Sequence, residues 1–433
     1  MHEPEPEPST EDLHPTAHHD GFGGALLTGG ARVALAVAVG VLAGLSSAFF
    51  LVVLNWATDT REDHPWFLWL LPIIGLGIGA IYHYGGKSSA EGNNLVLDEI
   101  HEPRSWIPRR QAVLVYVGTI ATHLFGGSAG REGTAIQMSG SLTDALNRIV
   151  RVTGRERRIL LLAAIGGGFS AVFGVPFAGI VFAMEVQRVG RLRWVAMPSI
   201  AIAAFVGNAV VHALGVEHTP YPEITGVHLS PGLVGKVVVA GVVCGVVSVL
   251  FAVGTHRFRR VSARLVGWPP LRPFLGGAMV IALTYLVGDR SYLGLSIPLI
   301  TTSLAGGAGV VLGAFALKGL FTIVTLGSGF QGGEVTPLFV IGATLGVTLG
   351  HALGVPIPLM AALGFVAVFA GATNTPIACT VMGVELFGWD PALLLGLACG
   401  VSYVCSGSSS IYTSQRRMRW GFRHQQPDEL PVD

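Results

Sequence analysis

From Val33 onward the polar positions of this chain do not alternate with apolar ones; they fall as breaks between long apolar runs. The runs are Val33–Ala57, Trp66–Tyr84, Ala112–Phe125, Ile159–Met184, Trp194–Leu214, Val237–Val253, Phe274–Val287, Val310–Leu326, Leu338–Leu353, Leu359–Ala372 and Ala392–Val404. Such runs predict helices in lipid, and the lack of period-two alternation excludes a transmembrane β-barrel. Several are shorter than the ~20 residues a perpendicular span needs. Short runs ending in glycine-rich breaks predict half-helices meeting inside the bilayer, allowed only where the exposed backbone lines a cavity or is covered by protein. The fold class expected is an all-α polytopic membrane protein of tilted and broken helices.

Composition agrees: 51% of the residues are hydrophobic and 12% charged, against about 25% charged in soluble chains. Sixty glycines in 433 residues are about twice the usual share, which suits close helix packing and helix breaks. A formal net charge of +1 excludes a general attraction to nucleic acid. Cys244, Cys379, Cys399 and Cys405 lie in apolar segments without C-x-x-C spacing, so neither a zinc site nor a disulfide framework is indicated, and no cofactor is expected.

The first twenty residues hold six acids, four prolines and four histidines with almost no apolar side chain, which predicts a disordered tail. No basic region leads into a short apolar stretch, so the tail does not read as a signal peptide. Nineteen of the 27 basic residues are arginines clustered at 104–110, 148–158, 188–193, 257–264 and 416–423. These loops are expected to be cytoplasmic and the acidic Thr58–Pro65 loop to face outward, which puts both termini inside. The twenty-one residues after Tyr412 leave no room for a folded cytosolic domain.

The chain also repeats itself. Gly130-Arg131-Glu132-Gly133-Thr134 lines up with Gly332-Gly333-Glu334-Val335-Thr336 at an offset of 202, and Gly140 with Gly342 and Gly92 with Gly294 at the same offset. Pro176, Ala178 and Glu185 match Pro376, Ala378 and Glu385 at 200. The expected organisation is a tail over 1–30, a first membrane repeat over 31–213, a connection over 214–231, a second repeat over 232–413 and a tail over 414–433. Transporters built from repeats hold their ion site at the midplane where broken-helix N-termini converge. The residues alone leave open whether the halves are inverted.

Glu132 lies in the break GGSAGREGTAIQMSG, where an ionised carboxylate costs about 2.5–3.5 kcal/mol on insertion scales and so marks function. Gly130 and Gly133 are expected to leave backbone N–H groups open, and the positive end of the following helix favours an anion. An anion and the Glu132 carboxylate would then compete for one place, and protonation would release the carboxylate. Arg131 could pair with Glu132, although adjacent helix positions point apart. Glu334 repeats the situation in GSGFQGGEVTPLF, or only stabilises a helix N-terminus. Asn93 and Asn94, after Gly92, offer amide donors or serve as turn residues. Tyr412, beside a basic cluster, is a candidate hydroxyl donor or a member of the interfacial aromatic belt.

These motifs together resemble the CLC family of anion channels and proton-coupled antiporters. GSAGREGT is similar to its G-R-E-G-P signature, GVPFAGIVFAMEV to the helix pair that follows, GGEVTP to its G-x-F-x-P, and SSSIYTSQ to its tyrosine-bearing last helix; the likeness spans about 31–415. The resemblance implies a homodimer with one pathway per subunit and two inverted repeats of some eighteen or fewer helices. It implies that Glu132 is the gating glutamate and that Tyr412 donates to the central anion, with Gly92, Asn93, Asn94, Gly130, Gly133, Val335 and Thr336 around it. Three departures from the chloride pattern stand out. Asn93 replaces the serine of G-S-G-I-P, Val186 stands where chloride antiporters carry an inner proton glutamate, and Glu334 and Thr336 bracket Val335.

Together they resemble the fluoride-exporting CLC-F branch, implying proton-coupled fluoride export at a bacterial inner membrane with Glu334 as a second proton carrier. Fluoride is smaller and more strongly hydrated than chloride, so its desolvation must be offset by short bonds from good donors. A chloride channel or chloride/proton antiporter is the alternative, and would predict serine at 93 and, for the antiporter, glutamate at 186. From another class, Gly126-Gly127-Ser128-Ala129-Gly130 matches G-x-S-x-G with His123 nearby, as an intramembrane serine hydrolase would; that motif requires a strand–turn–helix elbow.

Overall fold

The computed structural model describes residues 29–190 and 192–416. The N-terminal tail, its histidines and the arginines at 191, 417, 419 and 423 lie outside the described residues.

Sixteen α-helices run through the described residues: α1 Gly29–Asp63, α2 Leu71–Ile81, α3 Asn93–His101, α4 Arg110–Leu124, α5 Glu132–Val150, α6 Gly154–Phe173, α7 Pro176–Glu185, α8 Met197–Ala213, α9 Pro231–Leu265, α10 Leu271–Val287, α11 Ile297–Leu304, α12 Ala314–Ser328, α13 Val335–Leu353, α14 Ile357–Thr373, α15 Pro376–Phe387 and α16 Ala392–Ser406. Five helical stretches are long and apolar enough to cross a membrane, among them α1, α9 and α13. Others, α3, α7 and α11 for instance, are far too short at 9, 10 and 8 residues.

The eight helices of the first half correspond in order to the eight of the second. α1 and α9 are each 35 residues long and start 202 positions apart; α5 and α13 are each 19 residues long and start 203 apart. The single apolar run Ile159–Met184 is in fact two helices, α6 and α7, because Gly174 takes φ 74° and Pro176 opens α7 without needing an N–H partner.

Two reciprocal contacts relate the halves by a two-fold. Gly130 and Gly333 exchange backbone hydrogen bonds of 2.6 and 2.8 Å in an isolated antiparallel bridge. The Glu185 carboxylate, ending α7, accepts from Ile377 N and Ala378 N at the start of α15, while Glu385 of α15 accepts from Phe177 N and Ala178 N at the start of α7. Each acid compensates the other helix's open N-terminal amides and its dipole. Corresponding helices that run antiparallel across the two-fold are inverted, which settles the point the repeats alone left open.

The core lies where the halves meet. Phe169 of α6 and Phe182 of α7 stack at 4.5 Å, and Phe339 of α13 stacks on Phe365 of α14 at 4.1 Å, in one cluster with Phe369. α13 and α14 cross backbone on backbone: a Cβ on Gly342 would stand 2.1 Å from the Gly364 carbonyl oxygen. α5 was not visible as an apolar run, since it carries Gln137, Ser139, Ser141, Thr143, Asp144 and Asn147, yet all six are buried. It is enclosed by protein, so lipid never selected its side chains.

The first half is braced by Arg157, fully buried at the start of α6. Its guanidinium donates to both Asp144 oxygens at 2.7 Å and to Glu99 Oε2 of α3 at 3.1 and 3.2 Å, with the Trp106 ring 4.9 Å from its centre. This forked network fixes α3, and with it Asn93, against α5 and α6.

Candidate functional site

Glu132 opens α5 and is fully buried, but its carboxylate does not stay on its own helix. Oε1 accepts from the Thr336 hydroxyl at 2.5 Å, Oε2 from Thr336 N at 3.0 Å and from Arg131 N at 3.2 Å. The acid therefore occupies the N-terminus of α13 in the opposite half, where open amides and the helix dipole attract an anion. The expected attraction to the N-terminus of its own helix is corrected to this. Arg131 Nε stands 3.5 Å from Glu132 Oε1 as well. Arg131 is the N-cap residue rather than an interior one, so the rule that neighbours point apart does not govern it.

Two further expectations need correction. Gly130 does not leave its N–H open, because that group donates to Gly333 O; the residue closes the bridge between the halves. Glu334 is not the counterpart of Glu132. The helices start 203 positions apart, so Val335 matches Glu132 and Glu334 matches Arg131 as the N-cap of α13. The G-x-E-x-T match at 202 was thus one residue out of register. Glu334, at the N-cap of α13, makes no cap hydrogen bond.

Gly92 takes φ 63° and ψ −131°, a conformation open to glycine, and hands the chain to α3 at Asn93. The Asn93 amide packs on Gly133: a Cβ there would lie 2.7 Å from Asn93 Nδ2. Tyr412 is brought back to this point by the end of α14. Ile411 N donates to Ala372 O at 2.9 Å, Asn374 Nδ2 donates to Ser409 O at 3.0 Å, and Ser414 N donates to Asn94 Oδ1 at 3.1 Å. Asn94 thus braces the tyrosine segment through its side-chain carbonyl rather than standing as a simple amide donor.

Asn93 and Tyr412 share a cavity of about 10 Å³ whose other walls are Val96, Leu97, Ile136, Ile165, Phe182 and Val186. The Tyr412 hydroxyl and Asn93 Oδ1 are buried there without a protein partner, an arrangement that leaves donors and acceptors to whatever enters. A second cavity of about 100 Å³ adjoins it and contains Gly92, Asn93, Asn94, Glu334 and Tyr412 together with Gln137, His256 and Arg259. Gln137, His256 and Arg259 were not singled out in the sequence. Gln137 had a signal, lying four residues after Gly133 and hence on the same helix face. His256 and Arg259 had none, since only the packing of α9 brings them here.

The structure thus gathers Glu132, Gly133, Thr336 and the Gly130 bridge at one break, and Gly92, Asn93, Asn94, Glu334 and Tyr412 at the adjoining cavities. Val335, buried, begins α13 between Glu334 and Thr336. The hydrolase alternative fails. Ser128 Oγ faces Thr322 Oγ1 at 3.0 Å, and the His123 nitrogens face the carbonyls of Thr119 and Ala129, so no base addresses the serine.

Comparison with known proteins agrees with this architecture. The family model described as voltage gated chloride channel matches residues 74–407. A protein of Pseudomonas syringae pv. tomato named chloride/fluoride channel protein is 45% identical over 92% of this chain and 89% of its own. The crystal structure of a CLC-type fluoride/proton antiporter superposes with a TM-score of 0.87 at 35% identity, covering 90% of this chain and 98% of that one. A slow cyanobacterial Cl−/H+ antiporter, 19% identical over 88% of this chain and 96% of its own, shares the fold at a TM-score of 0.74. With the inverted helix set, the opposed N-termini of α5 and α13 and the match over residues 74–407, this membrane protein belongs to the voltage-gated chloride channel family.

Proposed function

We propose that the protein is a proton-coupled antiporter that exports fluoride across the bacterial inner membrane and so confers fluoride resistance. The observation that carries the reading is the lining of the cavity shared by Asn93 and Tyr412, in which the buried Tyr412 hydroxyl has no protein partner and is free to donate to an anion. A phenol O–H, joined by an amide N–H of Asn93, offers the short bonds that a strongly hydrated anion requires on desolvation. The relative from Pseudomonas and the fluoride/proton antiporter structure support the same reading through their names.

In this reading Glu132 is the gate. Ionised, its carboxylate fills the anion place at Thr336; protonated, it loses its attraction to the α13 N-terminus, and an anion takes over the Thr336 N–H and hydroxyl. Asn93 and Tyr412 hold the anion next to that place, with Gly92, Gly133 and Val335 keeping the backbone close. Glu334, in the larger cavity beside Arg259, exchanges protons with the arginine-rich face in place of the carboxylate missing at Val186. That face, carrying the arginine ends of α6 and α9, is the cytoplasmic one by the positive-inside rule, and both termini lie on it. The repeats divide the chain at 31–213 and 232–413, in support of which α8 and α16 close the two sets of eight helices. The protein works as a homodimer with one pathway per subunit, as the family resemblance implies.

The alternative of a chloride channel or chloride/proton antiporter retains one support, the pairing of both halides in the name of the Pseudomonas relative. Efflux from liposomes holding the purified protein, read in parallel by fluoride and chloride electrodes and a pH probe, separates the two. Fluoride leaving with counter-movement of protons and little chloride is expected; chloride flux equal to fluoride flux would replace this reading by the alternative.

A further inference from the structure

A cavity larger than those of the site described lies away from them, on the face that carries Thr58–Pro65. It has a volume of about 620 Å³ and is walled by the end of α1, with Asn55, Thr58, Asp59, Arg61 and Glu62, and by the segment that leads into α11, with Ser291, Leu295 and Ser296. This segment corresponds to the Gly92 loop. Gly294 takes φ 61° where Gly92 takes 63°, and each is followed within three residues by a short helix.

The correspondence extends to the opposite wall. The cavity at Arg259 is made by the Gly92 loop of the first half and the end of α9 from the second; the 620 Å³ cavity is made by the Gly294 loop of the second half and the end of α1 from the first. α1 and α9 are themselves counterparts. Corresponding elements thus wall both cavities, although different positions of the long helices face them: α1 and α9 start 202 positions apart, so Arg61 matches Ala263 and not Arg259.

Arg61 shows what the second cavity lacks. Its side chain is only 13% exposed, and Nη2 pairs with Glu62 Oε1 at 3.0 Å. Nη1 is buried without an acceptor, and it lies over bare backbone, 2.2 Å from where a Gly294 Cβ would be. A buried guanidinium N–H left without an acceptor is costly, so an acceptor is called for there. Neighbouring groups do not supply one. Lys318 Nζ donates to Tyr292 O, Gly294 O and Ser296 Oγ at 3.3, 2.8 and 2.9 Å, so its protons are spent on shaping the loop. Arg290 Nη1 donates to Pro65 O at 3.3 Å. The carboxylates here are Glu62, engaged by Arg61, and Asp59, exposed on the wall. The loop is bonded to the gating break, since Gly294 N donates to Gly127 O at 3.2 Å, five residues before Glu132.

We infer that this cavity is an anion-binding antechamber, with a halide held at Nη1 of Arg61. A volume of about 620 Å³ imposes no size limit among halides, so the antechamber concentrates anions while selection stays at Asn93. That the bound halide is one the protein transports rests on the proposed function; the existence of the site does not.

Bromide is the probe, because its anomalous scattering reports position and the cavity has room for it. Crystals of the full chain soaked in sodium bromide are expected to show an anomalous peak within hydrogen-bond reach of Arg61 Nη1, reduced by competing fluoride and absent in Arg61→Gln. Fluoride entry from this face should then show a half-saturating concentration raised about threefold or more in Arg61→Gln, with the value from the opposite face unchanged. Water alone at Nη1 in the bromide-soaked wild type, a map that needs no variant to fold, overturns the inference, as does a peak that survives Arg61→Gln. Bromide bound at Arg61 in a protein that moves no fluoride would uphold the site and remove only the transport reading.

Discussion

The Glu132 carboxylate and the Thr336 hydroxyl stand 2.5 Å apart although 204 positions separate them in the chain. One belongs to the first residue of α5, the other to the first turn of α13, and the two-fold between the halves brings the helix starts face to face. A negative charge from one half thus compensates the helix end of the other.

In the proposed mechanism, Glu132→Gln removes both the proton carrier and the competing charge. Coupled transport should be lost, with either no fluoride flux or flux without proton counter-movement, read by fluoride electrode and pH probe on the same liposomes. Proton-coupled flux at the wild-type rate would take Glu132 out of the mechanism.

Thr336→Val keeps the shape of the residue and deletes the hydroxyl that donates to the Glu132 carboxylate. A hydrogen bond to a charged group contributes about 1.5–3 kcal/mol, so the carboxylate should leave its place about tenfold to a hundredfold more readily. Fluoride efflux at neutral pH should rise and become less dependent on acidification; a pH profile identical to wild type would show that Thr336 does not hold the gate.

Glu334→Gln should leave an assembled protein, because the side chain makes no cap hydrogen bond. Proton movement should fall while anion binding persists. Size-exclusion elution checks assembly, and normal proton pumping by the variant would return Glu334 to a passive place in the cavity wall.

Asn93→Ser shortens the donor and enlarges the space beside Tyr412, which penalises fluoride more than chloride. A shift of about 1.4 kcal/mol in the difference of affinities changes the ratio tenfold. Chloride should gain relative to fluoride when both are measured on one preparation under the same proton gradient, and an unchanged ratio would reduce Asn93 to a turn residue.

Arg157→Met strands the buried carboxylates of Asp144 and Glu99. Removing one partner of a buried ion network destabilises by about 3–5 kcal/mol. The detergent-solubilised variant should therefore lose its monodisperse elution at a clearly lower temperature than wild type, and equal thermal stability would mean that the network does not anchor α3.

The sequence by itself determined that the chain lies in a membrane, that its helices are broken and that it is built from two related halves, because lipid admits only apolar faces and a duplicated gene keeps its motifs in order. Glu132 was also legible, since an ionisable residue in an apolar break has few bland explanations, and Asn93 and Tyr412 stood out against the family pattern. The tertiary structure alone decided which groups meet. It carried the Glu132 carboxylate to α13, corrected the counterpart of Glu132 from Glu334 to Val335 by one residue of register, took up the Gly130 N–H in the bridge to Gly333, and brought His256 and Arg259 to the cavity. It likewise revealed α5 as an enclosed helix and the halves as inverted. The physical reason is that these contacts join residues far apart in the chain, the gate and the bridge some two hundred positions across a two-fold axis, and hydrophobic patterning along a chain reports where each helix lies relative to lipid but not which helix end it faces.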